Sequence, residues 1–138
     1  PNNAAEDSFS FLPALLGKKD SSIRPFTIHH SINGSFAIRR GNWKLSLCSG
    51  SGGWSAPRPN VAKKDKNLPL IQLYNLEKDP TEKTNLQAKH PELVLELVND
   101  LAMAIKNGRT TPGAIQLNEG HPKTFDERLL DHFPALKE

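Results

Sequence analysis

Leu93, Leu97, Leu101 and Ile105 recur every four residues, and Val94, Val98 and Ala104 widen the row into a broad apolar stripe. No other feature limits the fold as strongly. Such a stripe marks an amphipathic helix that must bury one face against another layer. His90-Pro91-Glu92 supplies its entrance, with proline at the first helical position and an acid near the positive end. Gly108 supplies its stop, flanked by Lys106 and Arg109. What the stripe packs on is announced upstream, where the period changes from four to two. Arg24–His30 alternates around Phe26 and Ile28, and Phe36–Arg40 follows after Ser31-Ile32-Asn33-Gly34, a turn whose Asn-Gly pair favours positive φ. Gly41-Asn42 turns the chain again into Trp43–Cys48, which places Trp43, Leu45 and Leu47 on one face. A fourth strand is expected over 68–76, apolar in both phases and therefore covered on both sides. These elements predict an α+β fold, a small antiparallel sheet of about four strands with one long amphipathic helix packed on it.

The rest of the chain is organised around that unit. Residues 1–23 read as an N-terminal segment. Within it Phe9, Phe11, Leu12, Leu15 and Leu16, with Pro13 and Gly17, predict a turn or two of helix lying on a core. Lys18 to Ser22 reads as a polar linker, residues 24–120 as the sheet and its helix, and 121–138 as a tail with a short helix over Phe125–Phe133. Ser49 to Asn67 reads as a flexible insertion of nearly 20 residues, rich in glycine and serine around Trp54 and followed by Pro57 and Pro59. Loops of that length carry function more often than shorter ones. The 138 residues suffice for one core, and the chain starts at Pro1, so its own start is expected to have been removed or to lie elsewhere.

Composition excludes several classes. No run nears the ~18 apolar residues of a membrane span, and no signal peptide is visible. A single cysteine, Cys48, rules out an internal disulfide and a cysteine-based zinc site. The net charge of +3 arises from 18 basic and 15 acidic residues without a basic stripe, and the cluster Lys63, Lys64 and Lys66 reads as a solvated loop, so no nucleic-acid surface is expected. Ser51 lacks the strand-to-helix frame of a nucleophile elbow, and Cys48 lacks an adjacent base. His29 and His30 point to opposite sides of a strand, and His90, His121 and His132 have no ligand spacing. Glu92, Glu96 and Asp100 form a row on the outer helix face that reads as solvation. Arg39, Arg40 and Lys44 sit on neighbouring strands, where they suit either an anion or solubility. Trp54 either folds back or lines a recognition surface. The residues alone assemble no catalytic set.

Several ordered stretches do resemble one family. Ser8-Phe9-Ser10-Phe11-Leu12-Pro13-Ala14-Leu15-Leu16-Gly17 with Arg24 is similar to the start of the C-terminal subdomain of type I, formylglycine-dependent, arylsulfatase-like sulfatases. His29-His30-Ser31 with Gly34, and Phe36 through Leu45, resemble the paired strands that follow. Leu73-Tyr74-Asn75-Leu76-Glu77-Lys78-Asp79-Pro80-Thr81-Glu82 with Asn85-Leu86 resembles a late strand-and-turn motif, and Gly108-Arg109 with Thr111-Pro112-Gly113 completes the pattern. The resemblance covers about residues 6 to 118. It implies a C-terminal fragment with a structural and cleft-shaping role, not an enzyme by itself, from a parent that hydrolyses sulfate esters. The parent is expected to need calcium, or a similar divalent cation, and a formylglycine made within a Cys/Ser-x-Pro/Ala-x-Arg motif. Around Cys48 that motif is missing, so no catalytic residue, metal or cofactor is expected here. By the same resemblance His29, His30, Trp54 and Arg58 become candidate substrate contacts, while Asp79-Pro80 and Asn85 are expected to fix a turn. The implied partners are the catalytic domain and a sulfated carbohydrate or aryl substrate, in a periplasmic or secreted parent. Without the catalytic domain, an exposed sheet face is expected to make the piece sticky and dimeric. The alternative is a free-standing module that binds a glycan or an anion without catalysis.

Overall fold

A computed structural model describes residues 4–18, 23–118 and 125–137. Part of the expected 18–22 linker, His121 and the first four residues of the expected tail lie outside them. The strands are β1 (Thr27–His30), β2 (Phe36–Arg40), β3 (Trp43–Ser46) and β4 (Gln72–Asn75), and they form one antiparallel sheet in sequence order. The α+β expectation therefore holds, although β1, β3 and β4 are shorter than the sequence suggests. The Asn-Gly turn closes as expected, with Gly34 N donating to Ser31 O at 2.9 Å and Gly34 at φ 86°.

The register explains the layering. Ile28, Ile38, Leu45 and Leu73 pair in one row across all four strands, and the last three are fully buried. Helix α3 (Pro91–Asn107) covers that row with Val94, Leu97, Val98, Leu101 and Ala104. Fully burying each of the larger of these side chains contributes about 1.5–3 kcal/mol. Leu129 of α4 (Glu127–His132) and Phe133 and Leu136 around a 3₁₀ turn (Pro134–Leu136) join the same core. The acidic row on α3 does more than solvate. Arg40 reaches across from β2 to pair with Glu96 and, at 2.9 Å, with Asp100. Both partners are partly exposed, so the pairing contributes about 1 kcal/mol or less.

Helix α3 starts and stops where the sequence places it, by partly different means. His90 precedes Pro91 without a side-chain capping bond, and its ring instead packs edge-on against Trp43 at 4.9 Å. At the other end Gly108 is left-handed at φ 60°, and a Cβ there would lie 2.2 Å from the Gln116 carbonyl oxygen. Any other residue would meet both a strained backbone and that oxygen.

Two expectations fail. The first turn, α1 (Leu12–Leu15), forms but does not lie on a core, because Phe11, Leu12, Leu15 and Leu16 are all more than half exposed. Their apolar clustering predicts burial, and nothing within the described chain provides it. The glycine-serine insertion is also not a free loop. It contains a helical turn, α2 (Pro59–Ala62), whose Ala62 is buried. Ser51 ties its base, donating to Ser55 O at 2.7 Å while its backbone N–H reaches Pro57 O at 3.2 Å.

Candidate functional site

The sheet face opposite α3 is largely polar but only partly open, since Ala37 and Tyr74 are buried on it, and β4 is covered on both sides as its two apolar phases predict. Strand alternation puts His29, Ala37, Arg39, Lys44, Ser46, Gln72 and Tyr74 there. A groove of about 420 Å³ runs over it, bordered by His29, Ser35, Arg39, Lys44, Cys48 and Glu82 among others. Lys44 Nζ sits 2.7 Å from one Glu82 carboxylate oxygen and 2.9 Å from the other, so the most central cation is neutralised in place.

The Asp79-Pro80-Thr81-Glu82 stretch accounts for that pair. The Asp79 carboxylate accepts from Lys83 N at 2.8 Å and Thr84 N at 2.7 Å. The bond from the Thr84 backbone is the main reason its acidity lies on the strong side of the ordinary aspartate range. Glu82 takes φ 56°, a left-handed conformation uncommon for glutamate. Its N–H meets Asp79 O at 3.2 Å, and the side chain is directed back across the sheet to Lys44. Asn75 supports the same corner by accepting from Glu77 N at 3.1 Å.

A second chain of bonds fixes the groove's other wall. Tyr74 donates its hydroxyl to Gln72 Oε1 at 2.7 Å, and Gln72 Nε2 donates to Cys48 O at 2.9 Å and Gly50 O at 2.6 Å. Burial first, and the nearby Glu82 charge second, push the Tyr74 phenol above its ordinary value. Cys48 is likewise held up by burial, which outweighs the lowering effects of Ser35 and Lys44. A thiol of this kind is protonated at neutral pH and makes a poor nucleophile. Cys48 is accordingly expected to alkylate with iodoacetamide at least tenfold more slowly than free cysteine at pH 7.5. A rate equal to that of free cysteine would refute its assignment as an inert wall residue.

The four predicted contact residues do not converge. His29 and His30 both border the groove and are exposed. His30 also packs its ring edge-on against Phe36 at 5.0 Å, on the core side. Trp54 is 78% exposed on the insertion, and Arg58 is exposed just before α2, both outside the groove lining. Arg39, Arg40 and Lys44 do not share an anion site. Arg40 faces α3, Lys44 is paired, and Arg39 Nε donates to Gly41 O at 3.0 Å. Sequence reading missed the Lys44–Glu82 pair because 38 residues separate the partners. The strict alternation of β3, which puts Lys44 on the outer face, was the available signal for one half of it. Among the described residues, no group of three or more His, Cys, Asp or Glu side chains is placed to hold a metal ion, and no helix is long and apolar enough to cross a membrane.

The remaining family-like residues have structural duties. Asn85 Oδ1 accepts from Leu73 N at 3.0 Å and its Nδ2 donates to Ile71 O at 3.1 Å, while Leu86 N reaches Leu73 O at 2.8 Å. A side-chain amide thus stands in for a further strand along β4. Arg109 is buried and donates to Thr111 O at 2.9 Å and Ala114 O at 3.0 Å. Gly113 lies beside it at φ 155°, a conformation side chains rarely adopt, and a Cβ there would lie 2.3 Å from Arg109 Nη1 unless the guanidinium shifted.

No protein-family model matches the chain. It is 37% identical over 108 residues to an N-acetylgalactosamine-6-O-sulfatase from Bacteroides thetaiotaomicron, a stretch that is 77% of this chain and 20% of that protein. A solved structure described under the metabolism of multiple glycosaminoglycans by Bacteroides thetaiotaomicron superposes with a TM-score of 0.56 at 34% identity, covering 75% of this chain and 21% of the other. The chain thus corresponds to about one fifth of the length of the relatives it matches. Sequence and fold together make it a homologue of the bacterial sulfatases over that small fraction, with the sheet-and-helix arrangement of a sulfatase C-terminal subdomain.

Proposed function

We propose that the chain is the C-terminal subdomain of a sulfatase whose preceding catalytic domain hydrolyses sulfate esters of a carbohydrate, and that its own role is to cap that domain and shape the substrate cleft. The observation that carries this reading is the 37% identity across 77% of the chain to a sulfatase acting on a sulfated amino sugar. The open polar groove supports it. His29 and Arg39 present exposed donors at its rim, of the kind that hold a hydroxyl or sulfate oxygen. His30 borders the same groove, whereas Trp54, whose exposed ring suits a sugar face, and Arg58 stand apart from it on the insertion and are proposed as separate substrate contacts.

Calcium and a formylglycine would supply the hydrolytic chemistry in the parent. The residues present here fit neither. Cys48 is followed by Ser49-Gly50-Ser51-Gly52 rather than by proline and arginine, and no metal-ligand cluster occurs among the described residues. Both belong to the catalytic domain in this reading, and the parent is proposed to be exported to the periplasm or beyond the cell.

Determining the coding sequence upstream of Pro1 tests the proposal. The expected result is an open frame of several hundred residues containing Cys/Ser-x-Pro/Ala-x-Arg, whose product releases sulfate from 6-O-sulfated N-acetylgalactosamine or from an aryl sulfate. A start codon immediately before Pro1 would overturn the proposal and leave a binding or structural module.

A further inference from the structure

The chain's excess of positive charge sits in one place. Of 18 basic and 15 acidic residues, the insertion at residues 49–67 holds Arg58, Lys63, Lys64 and Lys66 against Asp65. The other 14 basic residues are balanced by the other 14 acidic ones, so the insertion carries the whole net charge of +3.

These four cations are exposed and uncommitted. Arg40, Lys44, Arg128 and Lys137 each pair with a carboxylate. Among the described residues Arg58, Lys63, Lys64 and Lys66 have no ion pair or side-chain hydrogen bond. Lys63 and Asp126 border one small cleft, yet that carboxylate already accepts from Arg128 Nε at 3.1 Å and Nη2 at 3.0 Å. Asp65 is turned to Asn67 N at 2.9 Å. Like charges repel within a screening length of about 10 Å, and the insertion is fastened to the fold rather than splayed to separate them. Gly50, at φ 72°, brings its backbone so near α2 that a Cβ would lie 2.7 Å from Pro57 O and 2.9 Å from Ala62 Cβ. The same segment leaves Trp54 78% and Val61 56% exposed.

We infer that the insertion is an accessory site that holds a sulfated polysaccharide chain outside the groove. Arg58 and the three lysines meet its sulfate and carboxylate groups through charge-assisted hydrogen bonds, and Trp54 covers one sugar face. This departs from the expectation that the lysine cluster is only a solvated loop. The choice of a glycan rests on the sulfatase reading above, in which the matched relative acts on a sulfated amino sugar. A nucleic-acid strand fits less well, because it stacks successive bases on several aromatic side chains, and residues 49–67 contain Trp54 alone. Ser51 and Gly52 of the insertion also border the groove. The two surfaces are therefore contiguous, and a long chain can lie on both where a single sugar cannot.

Binding of the full-length protein to immobilised chondroitin 6-sulfate tests the inference. Lys63→Gln, Lys64→Gln and Lys66→Gln combined should weaken binding at least about fivefold, as should raising the salt from 50 to 200 mM. The same chain stripped of its sulfates should also bind at least about fivefold less tightly. Lys78→Gln, Lys83→Gln and Lys89→Gln combined remove the same charge from exposed positions elsewhere, and should cost less than the first set. Circular dichroism matching the unsubstituted protein shows that both variants fold. A smaller loss in the first variant, a loss at least as large in the second, or no binding by the unsubstituted protein overturns the inference. So does tighter binding to a single-stranded polynucleotide of equal charge. Binding needs no turnover, so the two ideas fail separately. Lysine-dependent binding by a protein whose upstream frame lacks the formylglycine motif refutes the sulfatase reading alone, whereas lysine-independent binding by one that contains it refutes the accessory site alone.

Discussion

Leu97→Ala is expected to lower the unfolding free energy by about 3–5 kcal/mol. Leu97 is fully buried in the layer between α3 and the sheet, amid Ile38, Leu45, Leu73 and Leu101. Truncation removes apolar burial and leaves a cavity that two regular elements, each fixed by its own backbone bonds, are slow to close. Domains of this size are stable by about 5–15 kcal/mol, so a large part of the total would be lost. Urea denaturation checks this, with the midpoint falling and the slope unchanged. Leu95→Ala provides the contrast. Leu95 is 52% exposed on the same helix, and its truncation should cost no more than about 0.5 kcal/mol. Equal effects at the two positions would mean that α3 does not pack through the face described.

Asn85→Ala is expected to cost about 2–4 kcal/mol, for a different reason. Its amide satisfies Leu73 N, Gln87 N and Ile71 O at the margin of β4, and removal leaves partly buried backbone groups without their partner. Asn85→Asp keeps the accepting oxygen and loses the donor to Ile71 O, so it should fall between alanine and the parent. Amide exchange gives the local readout, because the Leu73 N–H should lose protection in Asn85→Ala and retain most of it in Asn85→Asp. An alanine variant as stable as the parent would show that water replaces the amide without cost.

Much of the architecture is legible because its signals are local. The stripe from Leu93 to Ile105, the Asn33-Gly34 turn and the alternation of Trp43, Leu45 and Leu47 each report a period or a backbone conformation that neighbouring residues determine. The failures share the opposite character. Whether α1 lies on a core depends on what stands opposite it, which four apolar residues in a row cannot specify. Glu96 and Asp100 look like solvation on a helix wheel, and only the register of β2 reveals that Arg40 meets them. The candidate site was the least readable part, for the same reason. His29 and His30 were found because they stand out as residue types, whereas Lys44, Glu82, Gln72 and Tyr74 are individually ordinary and become a groove only after β3, β4 and the Asp79 turn are placed side by side. Asp79 fixes its turn as the sequence predicts, since aspartate before proline has few other uses, whereas Asn85 makes one local bond to Gln87 N and otherwise serves the margin of β4 through Leu73 N and Ile71 O, 12 and 14 residues away.

The two bonds from Gln72 to the carbonyls of Cys48 and Gly50 have a consequence for how this protein can diversify. They pin together the two ends of the segment that leaves β3 and returns to β4, much as a clasp closes a necklace regardless of how many beads it carries. With the ends fastened, lengthening the intervening stretch costs only about 0.6 kcal/mol for each doubling. New sequence can therefore accumulate around Trp54 and α2 while the sheet that presents it keeps its register. Variation in length among relatives should concentrate there and spare Gln72.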